Sequence, residues 1–208
     1  MTPDLQLRDR ILECARDAFL AHGFSKVTLD ELAQRLGISK KTLYKSYPSK
    51  EELLRAALHS MMRSAGWELE RISSSDKPFV EKLALAMMTM GKYVSRFRKE
   101  SIADVQRLAP ALWKELDAFR QQHIVSELVT MIRQARDEKI FRQEIDEQIL
   151  IQMLVSSVQS VLNPEFLVNH SVSLQAAARS IFATIFEGAL TDTARTDFHV
   201  FDKPTDFV

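Results

Sequence analysis

Apolar residues recur along this chain at intervals of three and four, the period of an amphipathic helix rather than the alternation of a strand. Leu7, Ile11, Leu12, Ala15, Ala18 and Phe19 form one stripe, and Gly23 stands where a left-handed residue would end that helix. Thr28-Leu-Asp-Glu31 is a capping box. It opens a short helix with Leu29, Leu32, Ala33 and Leu36 inside and Gly37 as its stop. Ser39 caps a third helix running to about Lys45, and Pro48 closes that segment. Ser49-Lys-Glu-Glu52 is a second capping box. It starts a long helix with Leu53, Leu54, Ala57, Leu58, Met61 and Met62 inside.

The same period continues after a polar break at Ser73-Ser74-Ser75-Asp76. Pro78 fits the first turn of a helix reaching about Arg98. Ser101 to Asp104 begins a short helix, and Pro110 begins a long one through Leu116, Phe119, Leu128, Met131, Ile132 and Ala135. Asp146 caps a helix with Ile149, Leu150, Met153, Leu154, Val158 and Val161 inside, which Pro164 ends. Ser173 caps the last one, with Leu174, Ala177, Ile181, Phe182, Ile185 and Phe186 inside, then Gly188. From Thr191 the periodicity fails, which predicts a loosely ordered or surface-draped acidic tail over 191–208. The expectation is an all-α chain of about nine helices.

Residues 28–50 differ from the rest. Two short capped helices meet at Gly37-Ile38-Ser39, with the small Ala33 where a second helix can cross closely. Ile38 and Leu43 are placed to lock the pair. This is the layout of a helix-turn-helix, whose second helix enters the DNA major groove. Between Ser39 and Lys50 stand four lysines (Lys40, Lys41, Lys45, Lys50) and no acid, with Thr42, Tyr44, Ser46 and Tyr47 among them. Lysines neutralise phosphates and release counterions, hydroxyls position the backbone, and Lys40, Lys41 and Thr42 lie at the end of the recognition helix that reaches base edges. A run of lysines alone is more often a solvated face; the turn geometry weighs against that reading.

The segment from Val27 through Thr-Leu-Asp-Glu-Leu-Ala-Gln-Arg-Leu-Gly-Ile-Ser-Lys-Lys-Thr-Leu-Tyr-Lys-Ser-Tyr-Pro-Ser-Lys-Glu-Glu to Leu53 resembles the DNA-binding segment of the tetracycline-repressor (TetR) family. Ile11-Leu12 through Gly23-Phe24 is similar to that family's first helix, so the likeness covers about residues 8–58. The resemblance implies an N-terminal three-helix DNA-binding domain over 1–50. A long helix would join it to a helical effector-binding and dimerisation domain over 51–190, with the tail at 191–208. It implies a homodimeric transcriptional regulator, usually a repressor released by a small ligand, binding double-stranded operator DNA. Thr28, Thr42, Tyr44 and Lys50 match positions that contact the DNA backbone, and Lys40, Lys41 and Lys45 match positions where base-directed contacts arise. Ser39 and Ser46 complete the candidate DNA-binding set. Tyr47 matches an aromatic position that packs between helices. Ser46 stands where histidine is frequent and Lys41 where glycine is frequent, so operator sequence does not transfer.

Composition sharpens this picture. The chain has 28 basic and 28 acidic residues, a balance that argues against a nucleic-acid reader. Split at residue 60, however, the first part holds ten basic and eight acidic residues, and the remainder eighteen and twenty. One cysteine, Cys14, excludes an intrachain disulfide and reads as a buried, inert thiol. No signal-peptide layout and no apolar run of transmembrane length stand in the sequence, so a cytoplasmic protein is expected. The five histidines lack a ligand partner at i, i+4, and no phosphate-binding or nucleophile-elbow motif occurs, so neither metal, cofactor nor enzyme activity is expected.

The last two helices, with Ala176, Ala177, Ala178, Ala183 and Gly188, suit a four-helix bundle across a two-fold axis. Met87, Met90, Phe97, Trp113, Phe119, Met153 and Phe166 are candidate lining for a largely apolar effector pocket, although such a stripe is more often plain core. Two rival functions stand beside the regulator. One is an enzyme on a helical bundle, against which the apolar inner positions speak. The other is an interaction protein that keeps the helix-turn-helix without operator binding.

Overall fold

The computed structural model describes residues 3–94, 96, 98–161, 166 and 170–201. Among these the backbone is helical apart from short connections and one isolated antiparallel bridge, Phe141 to Leu190. The helices are α1 (Pro3–His22), α2 (Leu29–Leu36), α3 (Lys40–Ser46), α4 (Lys50–Ser73), α5 (Phe79–Val94), α6 (Lys99–Leu108), α7 (Pro110–Phe119), α8 (Ser126–Asp137), α9 (Glu147–Val161), α10 (Leu174–Ala189) and α11 (Asp192–Phe201). A π-helical segment, Arg120–Val125, lies between α7 and α8, so the long helix expected from Pro110 widens its turns midway.

The chain divides into two compact units, Met1–Ser64 with Arg96–Ala118 and Ala65–Ser95 with Phe119–Val208. In the first, α1 packs on α2 and α6, and α2 on α3. Ile11, Ala15 and Phe19 of α1, Leu32 and Ala33 of α2, Leu43 of α3 and Leu53 and Leu54 of α4 are all buried, the positions the helical period selects. Tyr47 is buried too, and the Arg8 guanidinium sits 5.4 Å from its ring centroid. Burial pushes the Cys14 thiol above its ordinary value, against a smaller opposing pull from Arg35. The residue is half-buried.

Ser101 does not cap α6, which begins at Lys99. It lies inside the helix, buried, and its hydroxyl donates to the Leu20 carbonyl at 2.9 Å. The tertiary acceptor outcompetes the local capping role the sequence suggests.

In the second unit α9 packs on α10, α8 on α5 and α9, and α10 and α11 on α5. Phe79, Phe141, Phe182 and Phe186 form its centre. Phe79 meets Phe141 edge-on at 5.2 Å, and Phe182 stacks on Phe186 at 6.1 Å between centroids. Lys82 is buried where α4 ends, donating through Nζ to the Ser73 carbonyl at 3.0 Å.

The expected loose tail is corrected over residues 192–201, which form α11. Ala194 is buried, and the Arg195 guanidinium donates to the carbonyls of Glu187 and Leu190 at 3.0 and 3.2 Å. The arginine closes the end of α10 and so ties this helix back to it. Residues 202–208, including Pro204, lie outside the described residues, as does Pro164. Gly188 lies within α10, which ends one residue later.

Candidate nucleic-acid interface

The turn between α2 and α3 is built by local hydrogen bonds. The Thr28 backbone N–H donates to Glu31 Oε2 at 2.9 Å, and the Glu31 N–H donates to Thr28 Oγ1 at 3.2 Å, a complete capping box. The backbone bond from Thr28, with its side chain, holds the Glu31 carboxyl below its ordinary value. Gly37 closes α2 at φ 66°, and the Ile38 N–H reaches back to the Ala33 carbonyl at 3.1 Å. Ser39 Oγ then caps α3 by accepting from the Thr42 N–H at 3.1 Å and shares a 2.8 Å hydrogen bond with Thr42 Oγ1. Two of the hydroxyls expected at DNA thus set the entry of the recognition helix. Ser46 turns toward its own helix, its Oγ donating to the Thr42 carbonyl at 3.3 Å.

Beside this turn an open depression of about 400 Å³ is lined by Val27, Thr28, Leu29, Asp30, Tyr44, Ser49 and Lys50. It unites Thr28, Tyr44 and Lys50, three of the residues expected at the DNA backbone. Ser49 caps α4 there, accepting from the Glu52 N–H at 3.1 Å. Tyr44 is exposed, as are Lys40, Lys41 and Lys45 along α3.

The four lysines have different surroundings. Lys40 Nζ pairs with Asp30 Oδ2 at 2.5 Å. Lys50 Nζ sits 4.5 Å from the Phe24 ring centroid and 3.4 Å from the Ser25 carbonyl oxygen. Burial lowers its pKa, partly offset by the carboxylates of Asp104 and Glu31. Lys41 and Lys45 take part in no ion pair among the described residues.

Asp30 and Asp104 are residues the sequence reading gave no role at the site, and Ser49 it read only as a helix cap. Asp104, on α6, accepts from the backbone N–H and the hydroxyl of Ser25 at 2.8 and 2.6 Å and from Arg107 at 3.0 Å. Its partial burial opposes charge, but the Ser25 bonds and Arg107 outweigh that and hold its carboxyl below the ordinary value. No local pattern marks Asp104, because its partner is 79 residues away in sequence.

The candidate effector residues divide between the two units. Trp113 lies in the first unit on α7, whereas Met87, Met90, Phe119, Met153 and Phe166 lie in the second. Met87 is buried, Met90 half-buried and Met153 exposed on α9. Phe119 stacks with His123 at 4.3 Å and Phe166 with His170 at 4.1 Å between centroids. Phe97 lies outside the described residues.

Residues 11–57 match the profile of bacterial regulatory proteins of the tetR family. That match places the N-terminal part of the chain in the TetR family. The chain is 24% identical over 172 residues to the HTH-type transcriptional regulator YvaF of Bacillus subtilis, a match covering 82% of this chain and 88% of the relative. Its fold is that of a TetR-family regulator from Mesorhizobium loti (TM-score 0.67, 16% identity, 92% of this chain and 100% of that one). It is also that of SmeT, the repressor of the Stenotrophomonas maltophilia multidrug efflux pump SmeDEF (TM-score 0.64, 20% identity, 90% and 92%). A SmeT–triclosan complex superposes equally well (TM-score 0.65, 21% identity, 91% and 94%). Among the described residues, no helix is long and apolar enough to cross a membrane.

Proposed function

We propose that this TetR-family regulator is a homodimeric, cytoplasmic repressor that binds duplex operator DNA through residues 1–50 and leaves it when residues 51–190 take up a small, largely apolar ligand. The observation that carries the DNA reading is the depression uniting Thr28, Tyr44 and Lys50 beside the exposed, unpaired Lys41 and Lys45. Backbone phosphates suit the depression, and base edges suit the exposed face of α3. The surroundings favour Thr42 and Ser39 as scaffolding hydroxyls that present α3.

Support for a ligand comes from the second unit. Gln121 Nε2, on the π-helical segment, is buried without a hydrogen-bond partner among the described residues, and an acceptor on an otherwise apolar ligand would satisfy it. SmeT, whose complex with triclosan is cited above, is a repressor that takes such a molecule. The bonds from Ser25 to Asp104 and from Ser101 to Leu20 tie α6 to the loop before α2 and to the end of α1, so a shift of α6 would reach the reader. Dimerisation is supported by Ile149 and Met153, one turn apart on α9 and 60% and 54% exposed, on a helix that packs against α10.

Fluorescence anisotropy on duplexes flanking the protein's own gene tests the DNA reading. Log K falls steeply with log salt. Replacing Lys41 and Lys45 together with alanine weakens binding at every sequence while leaving the oligomer intact. Undiminished binding by that double variant would refute the assignment of α3 as the reading element.

A further inference from the structure

Lys40 is the lysine of α3 with an anion already in contact, and that anion lines the depression. We propose that Asp30 is a positioning residue that keeps Lys40 out of non-specific phosphate contacts and thereby sets the ratio of specific to non-specific DNA binding. The proposal rests on the DNA-binding reading above.

Both side chains are exposed, 65% for Lys40 and 54% for Asp30, and Asp30 shares the depression with Thr28, Tyr44 and Lys50. A carboxylate there repels a phosphate unless a cation neutralises it. Lys40 is that cation. The pair meets a duplex as a neutral dipole, whereas Lys41 and Lys45 meet it as free charges. On arbitrary sequence, Lys40 reaches a phosphate only by leaving Asp30 bare against a polyanion, so the count of neutralised phosphates excludes it. An exposed pair of this kind is held weakly in water. A base edge that accepts from Lys40 in the groove can therefore open it where the sequence fits. Asp30 thus penalises wrong sites more than right ones, which is how specificity is gained without added contacts.

The test measures anisotropy isotherms across a salt series. The probes are a random-sequence duplex and a duplex selected for tight binding, with the full-length protein throughout. Asp30→Asn frees Lys40. The slope of log K against log salt on the random duplex then steepens by about 0.9 per reader. Its advantage over wild type grows roughly threefold per added contact as salt falls from about 200 to about 50 mM. Affinity for the selected duplex changes less, so the specificity ratio falls. Asp30→Glu restores the wild-type slope. Lys40→Gln on the Asp30→Asn background returns the slope to wild type, whereas Lys40→Gln alone barely moves it and Lys41→Gln flattens it by about 0.9. A merely structural role for Asp30 would shift the melting temperature and leave these slopes alone.

An unchanged slope in Asp30→Asn, or an equal flattening by Lys40→Gln and Lys41→Gln on the wild-type background, overturns the proposal while the DNA reading stands. Absence of salt-dependent binding by the wild type overturns both.

Discussion

Gly23 and Gly37 both end helices at positive φ, 88° and 66°, yet their surroundings separate them. A Cβ at Gly37 meets nothing within 4 Å, so alanine there costs only the left-handed backbone, about 1 kcal/mol. A Cβ at Gly23 lies 3.2 Å from Asp104 Oδ2, an oxygen already held by two bonds from Ser25. Gly23→Ala must strain the backbone and displace that carboxylate, so it is the more destabilising of the two, by about another 1 kcal/mol. Urea unfolding of the two variants against wild type checks the order; equal losses would show that the carboxylate gives way freely.

At the scale of elements, α6 is held by polar bonds as well as by the buried Ile102 and Val105. Asp104 supplies most of them, and its carboxyl is depressed below the ordinary value. A depressed carboxylate stabilises the folded state fully above its unfolded pKa, about 3.9, and loses that contribution as pH falls through the folded value. Asp104→Ala is therefore expected to cost about 1–2 kcal/mol at neutral pH. The gap from wild type closes as the solution is acidified past pH ~4. Stability measured at a series of pH values tests this, and a gap independent of pH would mean that packing, not charge, carries the effect. The sequence reading places residues 96–118 with the C-terminal domain, and the structure groups them with α1–α3 through these same bonds.

At the scale of the whole molecule, the proposed dimer depends on what covers Ile149 and Met153 of α9. Glutamate at both positions is expected to convert a dimer to a monomer in sedimentation velocity, because two charges would be buried at a mated apolar face. The same variant should lose most of its operator affinity, since two readers no longer bind together. A variant that stays dimeric would place the interface elsewhere.

What the sequence by itself determined is whatever depends on residues three or four apart. The capping box at Thr28, the Ser39 and Ser49 caps, the Gly37 turn and the stripes of α1 to α4 are local and the structure holds them, whereas Ile149 and Met153 of α9, read as inner positions, are exposed. So is the tetR-family match over residues 11–57, which is carried by the same short-range pattern. What only the tertiary structure decided is the fate of charges and hydroxyls. Four lysines in twelve residues look equivalent in sequence. In space Lys40 meets Asp30, ten residues back, and Lys50 meets Phe24 and Ser25, which leaves Lys41 and Lys45 as the exposed, unpaired pair. Ser101 found Leu20, and Arg195 found the carbonyls that end α10. The reason is physical. Helical period follows from backbone geometry and is written every few residues, whereas the partner of a charge is set by distance through space, which the order of residues along a chain does not record.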